Sequence, residues 1–145
     1  MRIPEPFFPL INRAMKVLLD SPLHGLISNS ILTVRFTGRR TGRVRSLPVR
    51  YLREDGGGLF CLTSRDAAWW RNFLEPAPVE LQLAGERVAA MAQSVTADAD
   101  RKEGSLRRLL ERFPGDAPYH GVSARGEGFE AAVADAVLVH FALGD

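Results

Sequence analysis

The chain has 145 residues, of which 46% are hydrophobic and 25% charged, with a net charge of +2 and a single cysteine. This length suits one globular domain, and the composition excludes a disordered or fibrous chain. One cysteine excludes an internal disulfide, and no apolar run reaches the roughly 20 residues of a membrane-spanning helix. We therefore expect a single domain over residues 1–145, located in the cytoplasm, with no signal peptide.

The N-terminal part predicts two helices, over residues 7–20 and 23–30. In the first, apolar residues recur at helical spacing, and Arg13 and Lys16 lie off that face. Such a helix either packs on the domain or lies peripherally on the inner membrane surface, where basic residues are attracted to anionic lipid. We expect a helical segment over residues 1–30, followed by a barrel over residues 31–145.

From residue 31 onward the apolar period changes to two, which predicts β-strands. The predicted strands are residues 31–37, 45–54, 59–64, 79–84, 87–96 and 136–143. One or two helical turns over residues 67–75 and an amphipathic helix over residues 98–113 interrupt them, and a polar, Gly-rich loop follows that helix. Six hairpin-linked strands predict an α+β fold, a mostly antiparallel split β-barrel with the long helix covering one mouth or side.

The basic residues are unevenly placed, and they indicate an anion site. All but two are arginine, and seven of these fall in one stretch that contains no acid: Arg35, Arg39, Arg40, Arg43, Arg45, Arg50 and Arg53. The turn from Gly38 to Arg45 has glycines four apart, which permit positive φ and close approach of a ligand. Arginine forks and turn N–H groups bind phosphate or carboxylate well. Partner aromatics for a nucleic-acid surface are missing, so we expect no nucleic acid.

A second donor set follows the third predicted strand. If that strand pairs with the second across the Asp55–Gly58 turn, Ser64 and Arg65 lie at the same end of the barrel as the arginine turn. Trp69 and Asn72 then share one helical face. An indole and an amide suit a flat, polar-edged heterocycle. Equally, the tryptophans belong to the core and Asn72 caps a neighbouring loop.

Together, Gly38-Arg39-Arg40-Thr41-Gly42-x-x-Arg45-x-x-Pro48, Ser64-Arg65 and Trp69-x-x-Asn72 resemble the deazaflavin-dependent nitroreductase family. That family belongs to the split-barrel superfamily of the pyridoxamine phosphate oxidase-like flavoproteins. The likeness runs from about residue 22 to residue 84 and weakly to the C-terminus. The N-terminal part is also similar to a branch of the superfamily with fatty-acid-binding members.

The resemblance implies binding of coenzyme F420, an 8-hydroxy-5-deazaflavin, and hydride transfer to a small acceptor such as a quinone or nitro compound. It implies that Arg39, Arg40, Thr41, Gly42 and Arg45 hold the phosphate and tail. Pro48 and Val49 would approach the ring, Ser64 and Arg65 the phosphate side, and Trp69 and Asn72 would close the pocket. This chain differs from the family pattern in its short Asp66–Ala68 segment and in Arg50, where an aromatic residue is common.

The remaining candidates are single residues. Tyr119 follows the long helix, where the resembling enzymes carry a pocket tyrosine, so it is the candidate for polarising or protonating an acceptor. His24, His120 and His140 are too scattered for a metal site, and we expect no metal. Two other functions stay open: a non-enzymatic carrier of a fatty acid or other amphipathic anion, and an FMN-binding barrel. We expect a monomer or a homodimer.

Overall fold

A curled antiparallel sheet organises the computed structural model, which describes residues 31–54, 57–83, 85–123 and 125–143. The seven strands are β1 (Ile31–Thr37), β2 (Val44–Arg50), β3 (Leu52–Arg53), β4 (Leu59–Ser64), β5 (Ala77–Leu83), β6 (Glu86–Val95) and β7 (Ala136–Leu143). Their order in the sheet is β2-β1-β5-β6-β7-β4-β3. The predicted helices at 7–20 and 23–30 lie outside the described residues.

The number of strands corrects the prediction of six. The predicted strand 45–54 is divided at Tyr51 into β2, which pairs with β1, and β3, which pairs with β4. These two segments form opposite edges of the sheet, yet one residue separates them in the chain. The sheet must therefore curl until its edges meet. The alternation of apolar residues continues through the bend, so the sequence pattern reads as one strand.

The pairing of β4 also corrects an expectation. We expected it to pair with the second predicted strand across the Asp55–Gly58 turn. It pairs with β3 only at two positions, Leu52↔Phe60 and Arg53↔Leu59. All six of its residues then pair with β7. The bend at Tyr51 carries β2 away from β4, so the hairpin ends almost as soon as it begins.

The main core lies on the inner face of the curled sheet. Alternate residues of each long strand point into it, as the period of two requires. Its fully buried members include Leu32, Val34, Leu59, Cys61, Leu81, Ala92, Val137, Val139 and Phe141. At about 25 cal/mol per Å² of buried apolar surface, this packing is the dominant stabilising contribution to the domain.

The α-helices and the later 3-10 helix cover the outer face of the sheet, whereas the earlier 3-10 helix packs Trp69, Trp70 and Phe73 into the main core. The α-helices are α1 (Ala99–Arg112) and α2 (Phe129–Asp135), and 3-10 helices span Trp69–Phe73 and Pro114–His120. Leu106 and Leu109 of α1 pack with Leu52 and Leu62, which point outward from β3 and β4, to form a second core. The long helix therefore covers a side of the sheet. The Gly-rich region after α1 was predicted as a loop, but it contains the second 3-10 helix and α2, which at seven residues each are too short to show a clear period.

A buried lysine joins α1 to the end of α2. The side chain of Lys102 is 3% exposed, and its ammonium donates to the carbonyl oxygens of Thr96 at 3.0 Å and Ala136 at 3.1 Å. The Arg65 guanidinium donates to Thr96 and Ala134 in the same place. Burial, and secondarily the Arg65 charge, lower the pKa of Lys102. Two cations thus satisfy the carbonyls at this helix C-terminus, where positive charge is favourable.

Cys61 is expected to be chemically inert in the folded protein. Burial raises the pKa of its thiol, so the thiolate that reacts with disulfide reagents does not form near neutral pH. At pH 8, we expect 5,5′-dithiobis(2-nitrobenzoate) to react at least about 100-fold more slowly with native protein than with urea-unfolded protein. Cys61→Ala is the blank. The raised pKa also means that the thiol's contribution to stability is full below the unfolded pKa of about 8.5 and declines at higher pH. Rapid reaction of the native thiol with the disulfide reagent would contradict the predicted inertness of Cys61.

Candidate functional site

The arginine turn connects β1 to β2 and is closed by its own backbone. The N–H of Gly38 donates to the carbonyl of Arg43 at 2.7 Å, and the N–H of Gly42 donates to the carbonyl of Gly38 at 2.9 Å. The Thr41 hydroxyl accepts from the N–H of Arg43 at 3.2 Å. Gly42 has φ +68°, in the left-handed region that glycine adopts without strain. The two glycines therefore fix a compact six-residue loop.

Gly38 has a separate steric role in the loop. A Cβ atom at this buried position would lie 3.0 Å from the Thr41 Oγ1 atom and 3.4 Å from the carbonyl oxygen of Arg43. A larger residue would therefore push against the hydroxyl that organises the tip. Gly42, by contrast, has open space around its Cα and is required for its backbone angle alone.

The tip of the loop has unused hydrogen-bond donors. Within the described residues, the N–H groups of Arg40 and Thr41 have no hydrogen-bond partner. Arg39, Arg40 and Arg43 are exposed, and no ion pair with a described acid engages them. Two consecutive free N–H groups beside three guanidinium groups make a site for a multiply charged anion.

The Trp69–Phe73 helix holds this turn in place. The Asn72 side-chain oxygen accepts from the N–H of Arg39 at 2.7 Å, while the Asn72 amide nitrogen donates to the carbonyl of Trp69 at 2.8 Å. Asn72 therefore links the turn to the helix, and Arg39 is fixed at its backbone while its side chain stays exposed. Contact of Asn72 with a ligand stays a prediction.

Both tryptophans belong to the core in this structure. Trp69 is 2% exposed and lies against Phe36 and Phe73, with ring centroids 6.4 and 6.0 Å away. Its indole N–H donates to the Thr63 hydroxyl at 3.2 Å, and the Trp70 indole donates to the carbonyl of Ser64 at 3.0 Å. The helix therefore connects the end of β4 to the arginine turn. A contact between Trp69 and a cofactor stays a prediction.

The donors expected at the end of β4 already have partners. The Ser64 hydroxyl donates to the Asp66 carboxylate. The Arg65 guanidinium uses its Nε and one terminal nitrogen on the carbonyls of Ala134 and Thr96. Arg65 retains three further N–H donors, whereas the single Ser64 proton is committed. Their role toward a phosphate stays a prediction.

The predicted ring-side residues lie on opposite faces of β2. Arg45 and Val49 share the inner face with Leu47, and Arg45 stands opposite Phe36 on β1. Pro48 points outward, as does Arg50. Pro48 has no N–H, which suits a strand at the sheet edge. A ligand on one face of β2 would reach the side chain of either Pro48 or Val49. A ligand along the strand edge would reach the backbone of both residues.

No pattern in the sequence indicates the contact between β2 and the second 3-10 helix. Arg50 donates from Nε and Nη2 to the two carboxylate oxygens of Asp116, at 2.8 and 3.0 Å. The residues are 66 positions apart, so no local spacing could reveal the pair. Tyr119 lies on the same 3-10 helix and is 48% exposed.

No described residue group suggests metal chemistry. Residues 31–54, 57–83, 85–123 and 125–143 contain no cluster of three potential metal ligands. His140 instead pairs through Nδ1 with Glu54 at 3.0 Å, consistent with a structural histidine. Across the same ranges, every helix is too short or too polar to cross a bilayer.

Solved structures share the fold at low sequence identity. A general stress family protein from Xanthomonas campestris matches with a TM-score of 0.56 and 16% identity, over 99% of this chain and 87% of that one. The heme storage protein HutZ from Vibrio cholerae gives 0.54 and 18%, over 100% and 92%. An F420-H2 dependent reductase, FDR-A, gives 0.53 and 19%, over 77% and 93%. These likenesses establish the split-barrel fold alone.

The sequence matches the model of one protein family, although a search of curated proteins finds no match. The model of the F420H(2)-dependent quinone reductase family matches residues 13–125, which include the arginine turn, the Trp69–Phe73 helix, α1 and Tyr119. This is most of the chain, and it agrees with the family resemblance drawn from the turn motif. The chain belongs to the F420H(2)-dependent quinone reductase family.

Proposed function

We propose that this protein is an F420-dependent reductase that transfers a hydride from the reduced deazaflavin to a small organic acceptor such as a quinone or a nitro compound. The observation that carries the proposal is the tip of the arginine turn. Its Arg40 and Thr41 N–H groups have no partner within the described part of the chain, and the neighbouring Arg39, Arg40 and Arg43 are exposed. These donors fit the phosphate and carboxylate tail of F420. Family membership supports F420 as that anion.

The chain's own residues would bind and orient the cofactor. Arg39, Arg40, Thr41 and Gly42 would hold the phosphate and the start of the tail, with Arg45 at the inner end of the turn. Pro48 and Val49 would set the ring against β2, and Ser64, Arg65, Trp69 and Asn72 would form the opposite wall. When bound, reduced F420 supplies the hydride, and the protein supplies position and exclusion of water. Tyr119 would donate a hydrogen bond or a proton to the acceptor oxygen.

The Asp66 carboxylate bears on this assignment, since a negative charge about 4 Å from a phosphate is unfavourable by about 1–4 kcal/mol. In the structure this carboxylate accepts the Ser64 hydroxyl hydrogen bond. Arg65 adds a positive charge next to it in sequence. We propose that these neighbours offset the Asp66 charge, and that the three free turn arginines exceed it.

A fluorescence titration tests the proposal. Oxidised F420 fluoresces, and we expect addition of protein to quench or shift this emission with a dissociation constant in or below the micromolar range, about −8 kcal/mol or better. With reduced F420 and menadione, the protein should then accelerate hydroquinone formation over a protein-free blank. No binding at tens of micromolar would contradict the proposal.

The same preparation distinguishes the alternatives. A spectral shift with FMN but not with F420 would favour an FMN-binding barrel. Native mass spectrometry that shows a co-purified acyl chain, with no response to either flavin, would favour a carrier of an amphipathic anion.

A further inference from the structure

An ion pair with two hydrogen bonds fastens the Pro114–His120 helix to β2. Arg50 and Asp116 make both bonds of a bidentate pair, and the Asp116 side chain is only 14% exposed. The Arg50 guanidinium also lies 4.3 Å from the centre of the Phe113 ring. The ring contact and the bidentate bonding together hold the guanidinium in place, and lysine cannot reproduce the two parallel bonds.

This helix contributes little to the interior of the domain. None of its seven residues is buried. It begins at Pro114, and Gly121 ends it with φ 76°. Only Ala117, together with the preceding Phe113, packs against the second core. A 3-10 helix of this length is uncommon and has poor internal hydrogen-bond geometry. The Arg50–Asp116 pair gives this helix a directional, two-bond attachment to β2.

Tyr119 lies one turn along the helix from Asp116, and Pro48 lies on the same face of β2 as Arg50. A 3-10 helix has three residues per turn, so Asp116 and Tyr119 lie on one face, about 6 Å apart along the axis. On β2, Arg50 and Pro48 point to the same outer face, about 7 Å apart. Fixing Asp116 on Arg50 therefore holds the helix that carries Tyr119 to the outer face of β2, the face to which Pro48 also points.

We propose that Arg50 and Asp116 are positioning residues for acceptor reduction, which place Tyr119 over the Pro48 face of β2. This rests on the proposed function, in which Tyr119 meets the acceptor. The pair acts through Tyr119 and touches no reacting atom. It also explains the arginine at a position where the family often has an aromatic residue: this chain uses Arg50 to hold a tyrosine that another element provides.

A double-mutant cycle between Asp116 and Tyr119 tests this. Asp116→Asn keeps the size of the side chain and removes its charge. We expect it to lower kcat/KM for menadione about 10- to 100-fold, as a displacement of about 1 Å does. The F420 dissociation constant should change by less than about twofold, because the cofactor's turn is untouched. In a Tyr119→Phe background, the same Asp116→Asn change should have almost no effect, since its route of action is gone.

Two further sets of variants complete the experiment. One exchanges the charges of Arg50 and Asp116, and the other breaks a different ion pair as a control. Arg50→Asp combined with Asp116→Arg should recover most of the lost kcat/KM, whereas Arg50→Lys should not, because it keeps the charge but loses the fork. Glu103→Gln breaks the exposed Glu103–Arg107 pair on α1, at 2.9 Å, and should leave kcat/KM unchanged.

The outcomes separate this inference from the proposed function. If the wild-type protein neither binds F420 nor reduces menadione, the proposed function fails and the positioning role fails with it. If the wild type is active and Asp116→Asn keeps wild-type kcat/KM, only the positioning role is overturned. If Asp116→Asn lowers kcat/KM equally in the wild type and in Tyr119→Phe, the positioning role is also overturned. The effect of Asp116 would then not pass through Tyr119.

Discussion

The Arg39→Ala, Arg40→Ala double variant is expected to lose F420 binding. Each guanidinium supplies charge-assisted hydrogen bonds to the phosphate and tail, worth about 1.5–3 kcal/mol apiece. Their joint removal should weaken binding by about 3–6 kcal/mol, roughly 100- to 10⁴-fold. Both side chains are exposed, so the unfolding free energy should change little. Fluorescence titration measures the affinity, and urea denaturation confirms that the variant is folded.

A matched pair of arginines outside the turn provides the control. Arg35 and Arg87 flank Glu80, each 3.9 Å from its carboxylate, on the exposed surface of β1 and β6. Arg35→Ala with Arg87→Ala removes the same net charge as the turn variant. We expect this control to bind F420 like the wild type. If both double variants lose affinity equally, the effect comes from overall charge, and the turn is not the binding site.

The largest loss of stability is expected for Lys102→Met. Methionine fills similar volume but removes the Lys102 donor from the buried carbonyl oxygen of Ala136 and leaves the carbonyl oxygen of Thr96 with Arg65 alone. An unsatisfied buried polar group is unfavourable by about 1–3 kcal/mol, so we expect a loss of about 2–4 kcal/mol in unfolding free energy at pH 7. Arg107→Met on the exposed face of the same helix should lower it by less than about 1 kcal/mol. Equal effects of the two changes would contradict the assigned role of Lys102.

The pH dependence of that difference has a defined sign. Burial lowers the pKa of Lys102 in the folded protein, so the unfolded chain holds this proton to higher pH. Between the folded pKa and the unfolded value of about 10.4, the unfolded state binds more protons, and stability rises with pH. The stability gap between wild type and Lys102→Met should therefore widen as the pH is raised toward 10. A gap that narrows would show that the folded protein holds the proton more tightly than the unfolded chain.

The sequence was sufficient for most of the elements and for the anion turn. Strand β1 and strand β7 were predicted at their observed bounds, because β-branched, alternating runs depend on short-range pattern alone. The arginine turn was likewise evident, since glycines and clustered guanidinium groups are local features. The sequence could predict an anion site at this turn. It could not predict which backbone N–H groups would be its donors.

Long-range contacts account for what the sequence could not predict. The division of one strand at Tyr51 depends on which neighbour each half pairs with, and no local signal records it. The same holds for Arg50, whose partner Asp116 belongs to another element. Trp69 and Asn72 had two interpretations because spacing gives a shared face but not what that face touches. The structure places the indole in the core and the amide on Arg39.

The position of β7 in the sheet has a consequence for how the chain can assemble during synthesis. This strand lies between β6 and β4, and it is the last of the described strands to be made. Leu59 must therefore wait for Phe141, and Ser64 for Ala136, before β4 has its main partner. Contacts this distant in sequence are slow to form, because a long loop must close first. The arginine turn, by contrast, sits in a local β1–β2 hairpin. We expect a ribosome-bound chain arrested before β7 to form this hairpin while β4 still exposes apolar surface that chaperones recognise.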